Sequence, residues 1–434
     1  MDVEPKWTGI LLNRKLGPLP PYLHRIKPKL VDIFVASKEI ETSPLNVRAW
    51  VVQERVLSRR HLFMTCNQLW WECHGLWANE VFPGGVEKNQ PYWSSISRIG
   101  YYALTTLGYQ SIHHGALLAS SPVDQNDNTI DQLPRHSSSK ELSKVDMEDL
   151  WKNLTLQYTS CNLTYASDKL PALSGVAQIF SIAQGSGFSL DENSYLAGIW
   201  RPHLPNALCW RVAFSNKYFR RRPDAYRAPS WSWASIDGTI EHYYKGKSVS
   251  SVMDVKIVYD DERYKAGAVK GGVLHLNSHL IGPLTYEGSS GELIPDPSLD
   301  DRIKEALYGI QPRMCRWDEY DGLSTNRCIS YLDHLSGTVH KDGIVDGTGA
   351  VRKRVMCKDV SEEPRIRLFL VPICYDVWGT DVELTYLILC QVVNNPGPEG
   401  FDYDAAFQRV GLARYLMVKD EVLDLFPKRT IAIV

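Results

Sequence analysis

The sequence predicts an α+β chain of several units, with helices in its first half and a β-rich carboxyl-terminal half. Three observations predict it. Apolar residues recur at helical spacing after Ser43 and again after Met147. From Tyr195 onward, short β-branched and aromatic runs separated by Gly and Pro-Gly turns replace that spacing. Thirteen Trp and 22 Tyr in 434 residues add a composition suited to sheets and aromatic packing.

The elements follow in order. Residues 1 to about 42 are Pro- and Lys-rich around one apolar patch, Leu30 to Ala36. Ser43 is a suitable N-cap and Pro44 suits the first helical position, so a helix is expected to start there. On its wheel Leu45, Ala49, Val52 and Val56 form one apolar stripe, and Val47, Trp50 and Val51 a second. Glu54 projects from the middle of the second patch; Asn46 and Gln53 line one flank, Arg48 and Arg55 the other. A helix apolar on two sides is covered on both, so Glu54 is expected to meet a buried partner or a cleft wall. After Arg59-Arg60, His61 to Trp71 reads as a strand.

Ser120 to Lys144, rich in Ser, Asp and Asn, reads as a flexible insertion. Met147, Leu150, Trp151, Leu154 and Tyr158 then keep helical spacing. A second helix is expected from Ser167 as N-cap, with Asp168 and Pro171 in its first turn and Leu173, Val176, Ala177, Phe180 and Ala183 buried. The two make a helical hairpin. Trp231 and Trp233 alternate with small residues, which predicts an extended segment with both indoles on one face, packed in a core. Further strands are expected at Val252–Tyr259, Gly272–Leu280, Ile366–Val371, Leu384–Val393, Ala406–Tyr415 and Thr430–Val434. Together they suggest an antiparallel sandwich or distorted barrel. The units are 1–115, 116–145 (the insertion), 146–190 (the hairpin) and 191–434, within which 285–365 is polar and without clear period.

Charge and composition exclude several classes. A net charge of -2 gives no electrostatic footprint for nucleic acid, and Arg220-Arg221-Arg222 and Arg352-Lys353-Arg354 read as solvated turns. The most apolar windows, Leu368–Tyr375 and Thr385–Val393, are too short to span a bilayer. The amino terminus lacks a signal-peptide pattern, and nine scattered cysteines suit reduced thiols, so a cytoplasmic location is expected. His61, Cys66, Cys73 and His74 fit no common zinc spacing. Asp346-Gly347-Thr348-Gly349 reads as a turn, and no phosphate-loop, nucleophile-elbow or zinc-protease motif occurs.

Pro44, Leu45, Asn46, Arg48, Ala49, Trp50, Gln53, Glu54, Arg55, Leu57, Ser58 and Arg60, followed by Trp71, Glu72 and Cys73, form an ordered motif. It resembles the closing part of the fungal heterokaryon-incompatibility (HET) domain. Leu163–Phe180, Tyr195–Val212 and Tyr226–Gly238 are similar to segments that follow this domain, with a fainter likeness at Arg409–Tyr415. The family's opening segments have no counterpart here, so the chain is expected to carry only the last part of the domain, in residues 1–115.

The resemblance implies fungal nonself recognition and regulated cell death through protein partners, self-association among them. It also implies a partial α/β, TIR-like fold at the front of the chain. In NAD-cleaving TIR domains the catalytic glutamate follows a tryptophan by four positions, as Glu54 follows Trp50. Glu54 is therefore the candidate catalytic residue, with NAD as substrate and no resident cofactor or metal. Arg48, Trp50, Gln53 and Arg55 are the candidates for substrate or partner binding. The competing readings are, for Glu54, a structural ion pair with a neighbouring Arg or a hydrogen bond to a buried amide, and, for Arg48, a helix-to-loop tether. The absent opening of the domain favours assembly over an NAD hydrolase.

Overall fold

A computed structural model describes residues 40, 43–58, 60–65, 69–73, 76–80, 86–87, 147–183, 190, 194–213, 222–223, 225–242, 246–287, 292–308, 312–317, 344–345, 351–352, 367–378, 381–392, 406–416 and 423–434. The Ser120–Lys144 insertion, Leu30–Ala36, Cys66 and His74 lie outside them. The fold is α+β, with few helices and one large sheet.

Helix α1 spans Ala49–Leu57, later than the Ser43–Pro44 start that the sequence suggests. The reason lies in Asn46. Its amide donates to the Ile40 carbonyl at 2.8 Å and to Ser43 Oγ at 3.0 Å, which holds 43–47 as turns. Arg48 is then extended (φ -87, ψ 130) and bridges Asn162. Strands β1 (Arg60–Met64), β2 (Leu69–Cys73), β3 (Leu76–Asn79) and β4 (Val86–Glu87) follow as an antiparallel meander. Register pairs Phe63 with Trp70 and His61 with Glu72. Phe63, Trp70 and Glu72 thus lie on the buried face, and Arg60, Leu62 and Met64 face outward.

Helix α2 (Met147–Thr159) buries Trp151, Leu154 and Tyr158 at the expected spacing. The second hairpin helix differs from expectation at its start. Two 3₁₀ turns, Ala166–Lys169 and Pro171–Leu173, precede α3 (Ser174–Ala183), and Ser167 caps nothing. Pro171 has no N–H to give to an α-helical ladder and opens a new tight turn instead. Val176, Ala177 and Phe180 are fully buried.

Strands β5 (Tyr195–Leu196) and β6 (Ile199–Trp200) form a tight hairpin around Ala197 (φ 45) and Gly198 (φ 98). Strand β7 (Trp210–Val212) pairs with β8 (Ile240–His242). Between them Trp233–Ser235 is a 3₁₀ turn, so Trp231 and Trp233 do not sit on an extended segment as expected. Ser232 Oγ caps that turn by accepting from the Ala234 amide at 3.0 Å, a local bond that outcompetes the strand. Both indoles are fully buried, as a packing role requires.

The rest is sheet: β9 (Lys247–Ser248), β10 (Ser251–Tyr259), β11 (Val269–Ser278), β12 (Ile281–Glu287), β13 (Glu292–Pro295), helix α4 (Asp301–Tyr308), β14 (Pro312–Trp317), the pair β15 (Ile344–Val345) and β16 (Val351–Arg352), then β17 (Leu368–Trp378), β18 (Asp381–Val392), β19 (Ala406–Leu416) and β20 (Arg429–Ile433). Ten strands join one sheet in the order β10-β11-β20-β19-β18-β17-β12-β13, with β14 beside β19 and β9 beside β17. Pairing is antiparallel except between β19 and β20.

Alternation along the long strands explains why the sheet is buried on both faces. Phe369 and Val371 on β17, Leu387 and Leu389 on β18, and Ile431 and Ile433 on β20 join the larger core, which also holds α1, α2, α3 and the Trp-rich turns. Leu368 and Leu370, Tyr386 and Ile388, and Val410 face the other way, into a smaller core with Leu307 of α4 and Phe426. No helix among the described residues is long and apolar enough to cross a membrane.

Candidate functional site

Helix α1 is covered on two sides, and its polar residues divide between them. Ala49, Val52 and Val56 enter the large core with the hairpin helices. Val51 and Arg55, one turn apart, are buried on the other side, where Arg55 reaches the four-stranded meander. Trp50 and Glu54 occupy the arc between. Trp50 is 37% exposed and Glu54 is exposed. This corrects the expectation that Glu54 is walled in. The wheel placed it beside Val51 but could not show that coverage stops one residue short.

The other candidates are engaged in joining elements. Gln53 Oε1 accepts from the Gly175 amide at 2.8 Å and so satisfies a donor in the first turn of α3. Space there is tight: a Cβ on Gly175 would lie 2.9 Å from that oxygen. Trp50 donates its indole N–H to Asp168 Oδ2 at 2.9 Å. Arg55 Nη2 meets Glu72 Oε2 at 3.3 Å, both side chains only 6% exposed, and its guanidinium lies 5.0 Å from the centre of the Phe63 ring. His61 Nε2 is 2.9 Å from the Arg55 carbonyl. Arg48 has an exposed side chain, and its neighbours bond to the hairpin turn through Ala49 N to Asn162 O at 2.9 Å and Asn162 N to Val47 O at 2.7 Å. The tether reading therefore applies to the backbone at Arg48.

A second centre forms where the downstream segments meet. The Gly198 carbonyl accepts from two indoles, Trp151 at 3.0 Å and Trp233 at 2.9 Å. Ser232 Oγ donates to Ala197 O at 2.5 Å, and Trp210 Nε1 to Trp231 O at 3.0 Å. Arg409 is fully buried with its guanidinium 3.4 Å above the Trp210 ring. It donates to the carbonyls of Leu208 at 2.6 Å and Trp210 at 2.5 Å. Burial pushes the hydroxyls of Tyr158 and Tyr195 far up, so both stay protonated, and Tyr158 donates to the Lys169 carbonyl at 2.8 Å.

Sequence reasoning missed two residues of this centre, Lys169 and Arg227. Asp168 was legible as a turn-start residue but not as the acceptor of Trp50. The available signal was slight: each cation directly precedes an apolar residue, Lys169 before Leu170 and Arg227 before Ala228. Among the described residues no group of three His, Cys, Asp or Glu side chains could hold a metal ion. No protein-family model, no curated protein and no solved structure matches the chain.

Proposed function

We propose that the chain acts as a heterokaryon-incompatibility-type protein of the fungal cytoplasm, working in nonself recognition and cell-death signalling by assembly with protein partners, copies of itself among them. One observation carries this reading. The motif residues that resemble the family hold α1 on the hairpin and the meander, while apolar side chains beside them face out: Leu45 is 58% exposed, Leu62 54% and Met64 61%. Apolar exposure on the outer face of β1, with Leu45 exposed ahead of α1, suits a surface that another chain covers. The test is sedimentation velocity of the purified chain across a concentration series. Self-association that weakens in a Leu62→Glu, Met64→Glu double variant supports the reading. If the wild-type chain stays monomeric and draws no partner from fungal extract through this face, the reading fails.

A second reading, an NAD hydrolase using Glu54, is favoured by the shared outward arc of Trp50 and Glu54, which leaves the carboxylate open to a solute. Incubation with NAD and measurement of released nicotinamide decides it. Turnover that Glu54→Ala abolishes would displace the assembly reading.

A further inference from the structure

Two cations lie buried side by side between the Tyr165–Lys169 turn and the Tyr226–Asp237 segment. Arg227 is 7% exposed. Its Nε donates to the Ala234 carbonyl at 2.6 Å, and its Nη1 to Asp237 Oδ1 at 2.8 Å and to the Ala166 carbonyl at 3.5 Å. Its Nη2 is shut off from solvent with no hydrogen-bond partner. Lys169 is 4% exposed. Its carbonyl accepts from the Tyr158 hydroxyl at 2.8 Å, but its amine has no acceptor among the described residues.

The charges do not balance at this place. Burial, and after it the Arg227 guanidinium, bring the Lys169 amine down to about 8, with Asp237 acting in the opposite sense. One carboxylate, Asp237, thus serves two cations, and its side chain is 46% exposed. Asp168, next to Lys169 in the chain, gives Oδ2 to the Trp50 indole instead. A buried donor without an acceptor and a buried amine that must share its one counter-ion are both costly, and an incoming anion relieves both. Arg227 supplies a planar N–H and Lys169 a compact charge, the combination that oxyanions take.

We propose that Lys169 and Arg227 form a binding site for one oxyanion group of a small molecule, a phosphate or a carboxylate. The group enters from the side where Tyr165, Ala166, Ser167 and Tyr226 are exposed. Because the same turn carries the acceptor of Trp50, the ligand would bridge the hairpin to the segment that follows it.

The test is titration calorimetry of the full chain with sodium phosphate and, separately, sodium acetate, each against sodium chloride at equal ionic strength near pH 7. The expected result is saturable one-to-one binding of phosphate or acetate, and whichever anion binds identifies the group. Lys169→Met should fold, since it removes a charge that makes no bond, and should weaken that binding at least about tenfold. A response no different from chloride, or unchanged affinity in Lys169→Met, overturns the proposal. Should circular dichroism find the variant unfolded, the wild-type chain decides. The urea midpoint of the wild-type chain must rise with phosphate or acetate beyond its value in matched chloride, and a midpoint that does not move overturns the site.

Discussion

Neighbouring residues on α1 are predicted to behave in opposite ways: Arg55→Ala should destabilise the chain strongly, and Glu54→Ala should not. The Arg55–Glu72 pair is separated by 3.3 Å, with both side chains 6% exposed. At an effective dielectric constant of ~20 the gross attraction at that distance is about 5 kcal/mol. Most of it offsets the desolvation of the two ions, so the pair as a whole adds little. Removing one partner is different, because it leaves the Glu72 carboxylate buried and alone at a cost of roughly 3–5 kcal/mol. Loss of the guanidinium above Phe63, 5.0 Å from the ring centre, adds to it. Glu54 is exposed, so its truncation should change stability by no more than about 0.5 kcal/mol. The assay is urea unfolding followed by tryptophan fluorescence on Arg55→Ala, Glu72→Ala, the double variant Arg55→Met with Glu72→Leu, and Glu54→Ala. The double variant should lose far less than the sum of the single losses. If Arg55→Ala costs no more than Glu54→Ala, or if the two single losses simply add, the burial argument is wrong.

Gly198→Ala should cost roughly 2–4 kcal/mol and flatten the near-ultraviolet circular dichroism of the indoles, because φ is 98 and a Cβ there would lie 2.8 Å from the Trp233 ring. Gln53→Ala should cost about 1 kcal/mol and speed hydrogen exchange at the Gly175 amide, whose bond it removes. His242 is a source of acid sensitivity. Its ring nitrogens are shut off from solvent although the residue as a whole is only half-buried, and burial brings its pKa down to about 3; Lys152, Arg409 and His203 push the same way and Glu148 against. A histidine held neutral contributes stability that is whole above the unfolded value of 6.5 and is lost as pH falls toward 3. By pH 5 that loss is about 2 kcal/mol, and urea midpoints at two pH values should show a smaller slope in His242→Gln. Burial pushes the Cys209 thiol well up, with the Cys374 sulfur 3.7 Å away. Iodoacetamide at about pH 8 should therefore leave Cys209 unmodified in the folded chain and alkylate it in urea, read by mass spectrometry.

Elements whose side chains follow one period over many residues were legible. Met147 to Tyr158 gave the first hairpin helix almost to the residue, and the six strand candidates of the carboxyl-terminal half all occur, several extended at one end. Those runs succeed because burial on a fixed face dictates the pattern and little else competes. Element starts were less legible, since side-chain bonds decide them locally. Ser43 and Pro44 have the form of a helix start, yet Asn46 turns the chain back on Ile40 and delays α1 to Ala49. Ser232 likewise makes a 3₁₀ turn of a segment whose alternation reads as a strand. The single sheet was not legible at all. Pairing of β20 in parallel beside β19 joins segments by a contact that neither pattern encodes.

The candidate site shows the same division one level up. The wheel of α1 rightly holds that both sides are covered, but coverage comes from two different bodies. The hairpin takes Ala49, Val52 and Val56, and the meander takes Arg55 through Glu72. Periodicity counts apolar residues, so it drew the second face around Val47, Trp50 and Val51. The actual face is set by an arginine that brings its own counter-charge from β2. A buried ion pair is invisible to a hydrophobic wheel, because each partner looks polar until the other is known. That single pair turns the second covered face away from Glu54 and leaves Trp50 and Glu54 at the open seam. Any chemistry or docking on α1 therefore has to happen at that seam, and a variant such as Trp50→Ala must disturb it together with the Asp168 bond that ties it to the Lys169 turn.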